Sequence, residues 1–171
     1  MIIPRFVRRW FRAPYDGLRS LHAVQEGVLY RCGQPRPEQL DELITRLGLK
    51  TVVALRGQRD EDDSDSWEAD ERAVCERRGV EFVTIPFNHK NPPTRDQVDR
   101  FLNLTREPTR CPALVHCRIG RQRTGLFCAL FRVHVQGMSP SDALAEMDQY
   151  GFDSGHRRHQ LLLEAFHRLS R

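Results

Sequence analysis

The chain has 171 residues, 39% of them hydrophobic and 29% charged, with a formal net charge of +4. That length fits one well-packed domain, the composition is that of an ordinary globule, and no apolar run reaches the length that spans a bilayer. The whole excess of charge sits in residues 1–12, which hold Arg5, Arg8, Arg9 and Arg12 and no acid, so the rest of the chain sums to zero and no nucleic-acid partner is expected.

Residues 1–20 read as a basic N-terminal arm ahead of one domain over 21–171. Phe6, Trp10 and Phe11 interleave with the arginines, a pattern compatible with peripheral membrane contact. The simpler account packs those aromatics on the domain and leaves the arginines wet. The five cysteines, Cys32, Cys75, Cys111, Cys117 and Cys128, are odd in number and contain no CxxC pair, and no apolar signal core precedes them. A reduced, cytoplasmic setting without structural zinc is therefore expected.

Along the chain, GVLYRC (27–32) predicts a strand. A helix follows, with Pro37 at its start, Leu40, Leu43, Ile44 and Leu47 on one face, and Gly48 as its stop. TVVAL (51–55) is an uninterrupted β-branched run suited to a strand buried on both faces, and 66–79 reads as a polar helix ending in glycine. EFVTI (81–85) predicts a third strand, residues 94–106 a helix, and ALVH (113–116) a fourth strand. From about Thr124, TGLFCALFRVHVQG is apolar on nearly all sides and predicts a central helix. Two more helices fit SPSDALAEMDQY and SGHRRHQLLLEAFHRL. This alternation predicts an α/β single domain with a mainly parallel sheet of four to five strands and helices on both faces.

In such a sheet, ligands bind beyond the carboxyl ends of the strands. HCRIGRQRTG (116–125) lies at one of these ends, between a strand and the central helix. The N–H groups of the turn and the positive helix end make an anion cradle there. No apolar residue adjoins Cys117 within the turn. A cysteine so placed has its thiolate stabilised and becomes nucleophilic near neutral pH. Gly120 permits close backbone approach to an anion, and Arg123 offers a two-pronged donor for phosphate oxygens.

The run of histidine, cysteine, five residues, arginine and threonine resembles the signature of the cysteine-dependent tyrosine and dual-specificity phosphatases. With VLYRCGQPRPEQLDEL and KTVVALRG in order before it, the chain resembles their compact atypical bacterial type and, more distantly, the plant and fungal type. The resemblance implies that Cys117 attacks phosphorus to form a phosphocysteine and that Arg123 binds two phosphoryl oxygens. It implies that Thr124 assists the sulfur as leaving group and His116 orients the loop. Arg118, Ile119, Gly120, Arg121 and Gln122 would supply the substrate-binding cradle, and neither metal nor cofactor is implied.

One position departs from the pattern. The family usually carries an aspartate as general acid about thirty residues before the cysteine, whereas this loop reads Asn88, His89, Lys90, Asn91. Three substitutes are open: Asp96, which the helix dipole alone explains; His89; and the acidic run at 60–65, where like charges are usually just solvated. An absent acid favours leaving groups that are already weak bases, so phosphotyrosine or a phosphoanhydride is expected before phosphoserine. The partner would be a phosphorylated protein or a polyanionic small molecule. Arg118 and Arg121, with His89, Lys90 and the HRRH run at 156–159, suit an inositol pyrophosphate or a phosphoinositide. A polar helix face also explains the HRRH run. A phosphate-binding pseudophosphatase and a rhodanese-type sulfurtransferase are the other readings. Of the remaining cysteines, packing explains Cys75 and Cys128, and Cys111 precedes a proline at a strand entrance. Cys32 has a rival reading as the disulfide partner of Cys117 under oxidation.

Overall fold

A computed structural model of the protein describes residues 17–57 and 67–171. The basic residues 1–16 and the acidic run at 60–65 lie outside the described residues.

Five strands form one sheet: β1 (His22–Gln25), β2 (Leu29–Gly33), β3 (Thr51–Ala54), β4 (Glu81–Thr84) and β5 (Ala113–Cys117). Their order is β1-β2-β5-β3-β4, with β1 antiparallel to β2 and every other pairing parallel. The β5 strand is central, so the cysteine at its end emerges between β2 and β3. Among the described residues, six α-helices flank the sheet: α1 (Pro37–Leu47), α2 (Trp67–Arg78), α3 (Arg95–Arg106), α4 (Gln122–His134), α5 (Pro140–Gln149) and α6 (Gln160–Leu169).

The sequence explains these boundaries. Pro37 opens α1, and Gly48 closes it at φ 63 with its N–H on the Ile44 carbonyl, a left-handed cap that costs glycine nothing. At α3 the Thr94 hydroxyl accepts the Gln97 N–H while the Gln97 side chain accepts the Thr94 N–H, a reciprocal capping box. In β3 every residue is buried, as the β-branched run predicts.

Alternation along the strands divides the core into two layers. Tyr30, Cys32, Val52 and Leu114 pack with Leu40, Leu43 and Ile44 of α1 and Val74 and Cys75 of α2. Val53, Val83, Val115 and Cys117 face the other side, against α3, α4, α5 and α6. The α4 helix is buried from Arg123 to Phe131, which is why its sequence is apolar on all sides.

Three details differ from expectation. HAVQ (22–25) forms an edge strand, β1, which lacks a strong strand pattern because only Val24 is buried. The central helix begins at Gln122 rather than near Thr124, because the loop closes directly into its first turn. The last helix begins at Gln160, not at Ser154. Asp153 takes a left-handed φ of 61, the His156 Nδ1 accepts the Arg158 N–H, and residues Arg157–His159 form a 3-10 turn. The HRRH run is therefore not a polar helix face, and its His159 is buried.

Candidate active site

The loop from Cys117 to Arg121 is held by its carbonyls. The Arg118 carbonyl accepts the Gln34 N–H at 3.1 Å, the Ile119 carbonyl accepts the Ser20 hydroxyl at 3.1 Å, and the Gly120 carbonyl accepts Arg31 Nη2 at 2.8 Å. Three successive carbonyls are thus tied outward to β2 and to the turn before β1. Outward carbonyls turn the N–H groups of the same peptides toward the interior of the loop. The Gly120 N–H meets Cys117 Sγ at 3.3 Å. Gly120 has φ 77, and a Cβ there would lie 2.5 Å from the Cys32 carbonyl oxygen and the Gly33 nitrogen, so the turn admits only glycine without rearrangement.

Cys117 is buried although its neighbours within the turn are polar: the sheet below it supplies the apolar contacts. Burial pushes its thiol up. The opposing charge of Arg123, the Thr124 hydroxyl, and the N–H groups of Thr124 and Gly120 outweigh that and leave its pKa below the ordinary value. Arg123 is buried beside it, with Nη1 donating to the carbonyls of Leu55 and Phe87 at 3.3 Å each, one from the end of β3 and one from the loop after β4. The guanidinium is therefore aimed by two further strand ends. Thr124 is fully buried, Ile119 and Arg121 are exposed, and Arg118 and Gln122 are half-buried.

His116 is fully buried on the opposite face of the sheet from Cys117, with Nε2 3.2 Å from Glu71 Oε1 of α2, itself buried. Its carbonyl accepts the Leu55 N–H at 2.9 Å, so the strand end beneath the cradle is fixed from both sides. Glu71 escaped the sequence reading. Its one signal is an acid three and four residues before Val74 and Cys75 on the buried stripe of α2. Arg31 escaped it too, although a cation between Tyr30 and Cys32 in an otherwise apolar strand is the corresponding signal.

The candidates for proton donor fare differently. Asp96 stands exposed on the first turn of α3, without a hydrogen bond or ion pair to the Cys117 loop. His89 stacks on His159 at 5.4 Å between centroids, and His159 in turn contacts Phe152 and His156, so these rings form a packed cluster rather than loose surface cations. Cys32 is buried in the layer of α1 and α2, with its thiol pushed well up, first by burial and then by Glu71. The pleat places Cys32 and Cys117 in opposite layers, against the disulfide reading. Burial likewise raises Cys75, to about 12, and raises Cys111 and Cys128, so none of the four resembles Cys117.

Among the described residues no helix is long and apolar enough to cross a membrane, and no group of three or more His, Cys, Asp or Glu is placed to hold a metal ion.

Residues 9–164 match the family described as DSP-PTPase phosphatase fused to NAD+ kinase. The dual specificity protein phosphatase TpbA of Pseudomonas aeruginosa is 32% identical over 125 residues, covering 73% of this chain and 52% of that protein. The chain thus spans about half the length of that relative. A crystal structure of P. aeruginosa TpbA in complex with phosphotyrosine superposes with a TM-score of 0.65 at 25% identity, covering 93% of this chain and 95% of that one. Inositol diphosphatase DSP3 of Arabidopsis thaliana is 28% identical over 143 residues, covering 84% of this chain and 68% of that protein.

Proposed function

The chain belongs to the DSP-PTPase phosphatase family, and from that premise we propose that it hydrolyses phosphate esters through a phosphocysteine on Cys117, with phosphotyrosine preferred to phosphoserine. The observation that carries this reading is the Cys117 thiol itself: buried, yet held toward thiolate by Arg123, by Thr124 and by inward N–H groups.

The steps follow from that arrangement. The phosphate settles in the cradle, where Arg123 exchanges its contacts with the Leu55 and Phe87 carbonyls for two phosphoryl oxygens. The thiolate attacks phosphorus, the sulfur–phosphorus bond forms, and the bond to the leaving oxygen breaks. Charge grows on the equatorial oxygens, toward which Arg123 and the N–H groups of residues 119–121, fixed by the outward carbonyls of 118–120, are already oriented. Water then attacks phosphorus, inorganic phosphate departs, and sulfur leaves as a thiolate steadied by the Thr124 hydroxyl. His116, braced by Glu71, acts as a positioning residue beneath the cradle.

The loop after β4 offers no carboxylate, and Asp96 makes no bond to the cradle. A leaving group that tolerates a weak or absent acid is an aryl oxide or a phosphate, not an alkoxide. The phosphoanhydride of an inositol pyrophosphate is the second reading, supported by Arg118 and Arg121 within the loop and by the similarity to DSP3.

Phosphate release from a phosphotyrosine peptide, a phosphoserine peptide, a phosphoinositide and an inositol pyrophosphate tests both readings. Wild-type protein is expected to act on the first or the last, and Cys117→Ser on none while keeping its fold. Wild-type rates in Cys117→Ser overturn the mechanism. Absence of release from all four substrates leaves a phosphate-binding module, and thiocyanate formation would indicate a sulfurtransferase.

A further inference from the structure

A second cleft, of about 340 Å³, opens on the outer flank of the same loop, between the β1–β2 edge and the end of α5. Arg19, His22, Arg31 and Arg121 converge on it, with Tyr150 and Gly120 among its walls. Elsewhere Arg95, Arg100 and Arg106 donate to backbone carbonyls, and Arg46, Arg72, Arg78, Arg110 and Arg132 each pair with an acid. Among the described residues, Arg19, Arg31 and Arg121 pair with none. So much unpaired positive charge in one concavity is what an anion site requires.

Arg31 carries the inference furthest. It is 2% exposed; its Nη2 donates to the Gly120 carbonyl, and its guanidinium lies 4.8 Å from the centroid of the Tyr150 ring. Its Nε is buried without a hydrogen-bond partner, a donor on a buried cation that the protein leaves unanswered. His22 packs on the same Tyr150 ring at 4.9 Å. Burial, then the charge of Arg31, holds its imidazole below the ordinary pKa, and an anion between the two would offset that charge. Gly151 makes room for the third arginine: a Cβ there would sit 3.0 Å from Arg121 Cδ.

We propose that this cleft is a second phosphate site, binding one phosphate group beside, and separately from, the group held over Cys117. Several guanidinium groups lining one cleft suit the several oxygens of a phosphate better than a single carboxylate. The inference does not depend on turnover at Cys117.

The test follows the Arg31 Nε–H resonance by NMR during titration with inorganic phosphate. A saturable shift is expected in the wild type and in Arg123→Lys, whose cradle is weakened. In Arg19→Ser/His22→Gln the affinity read at Arg31 should fall at least ~10-fold, the loss expected when charge-assisted contacts are removed. The same double variant should hydrolyse 4-nitrophenyl phosphate within about twofold of wild type, as surface changes outside the cradle should. A shift that vanishes in Arg123→Lys, or that survives unchanged in the double variant, overturns the proposal. Inhibition of 4-nitrophenyl phosphate hydrolysis by inositol hexakisphosphate then separates the sources. Inhibition weakened in the double variant means that both phosphates sit on one molecule; inhibition unchanged, with the Arg31 response intact in the wild type, means that a separate phosphate fills the cleft.

Discussion

Replacing Gly120 with alanine perturbs the cradle at its tightest point. The new Cβ would lie 2.5 Å from the Cys32 carbonyl oxygen and the Gly33 nitrogen, both backbone atoms that cannot swing aside, and φ is 77. The left-handed conformation alone costs a non-glycine residue about 1–2 kcal/mol. Relieving the clash means drawing the loop away from β2, which stretches the bond from Arg31 to the Gly120 carbonyl; hydrogen bonds to charged groups contribute about 1.5–3 kcal/mol. Together these predict a stability loss of about 3 kcal/mol, which in a domain of this size lowers Tm by roughly 6–12 °C. The same displacement moves the Gly120 N–H off the sulfur, and the loss of one preorganised donor predicts a fall of about 100-fold in kcat/KM. Thermal unfolding and aryl phosphate turnover measure both. A Tm within about 2 °C of wild type, with turnover also unchanged, would show that the loop accepts a side chain and that its outward carbonyls do not hold it.

Arg123→Lys should be severely impaired, because an ammonium cannot make the two-pronged contact; a loss in kcat/KM below about threefold, or 0.7 kcal/mol, would remove Arg123 from the transition state. Glu71→Ala strips a buried polar partner from His116 and should lower stability by about 1–3 kcal/mol in denaturant unfolding, whereas exposed ion pairs such as Arg72 with Glu68 should contribute under about 1 kcal/mol. Because Cys117 is held below the ordinary thiol pKa, its iodoacetamide reactivity should set in at lower pH than in the unfolded chain, and Thr124→Val should move that onset upward. By the same sign, the stability from its thiolate is present above the unfolded thiol pKa and is lost as pH falls through the folded one. Across aryl phosphates of rising leaving-group pKa, kcat should fall steeply; a flat series that steepens in Asp96→Asn, His89→Gln or a variant of the 60–65 aspartates would identify a proton donor.

Much of this molecule was legible locally. Pro37 and Gly48 bracket α1, the run 51–55 can only be a doubly buried strand, and residues 116–124 carry their spacing in one stretch of chain. What escaped is nonlocal. Arg31 meets Gly120 across 89 positions, and Glu71 reaches His116 from a separate helix, so no window of sequence contains both partners. The β1 strand escaped for a different reason: an edge strand with one buried residue has no alternation to display. Residues 156–159 misled because charge composition resembles a solvated helix face, while the ring stacking of His159 depends on His89, far back in the chain.

The central place of β5 also fixes when the molecule can become reactive. Its partners are residues 29–33 and 51–54, so the strand bearing Cys117 docks between segments that left the ribosome some sixty to ninety residues earlier. Until it docks, the Arg118, Ile119 and Gly120 carbonyls lack their anchors and Arg123 has no strand ends to rest on. Contacts this distant form slowly, after the entropy of closing long loops has been met. A nascent or partly unfolded chain therefore carries an ordinary thiol, protonated and sluggish at neutral pH. Onset of rapid alkylation at Cys117 during refolding would serve as a clock for completion of the sheet.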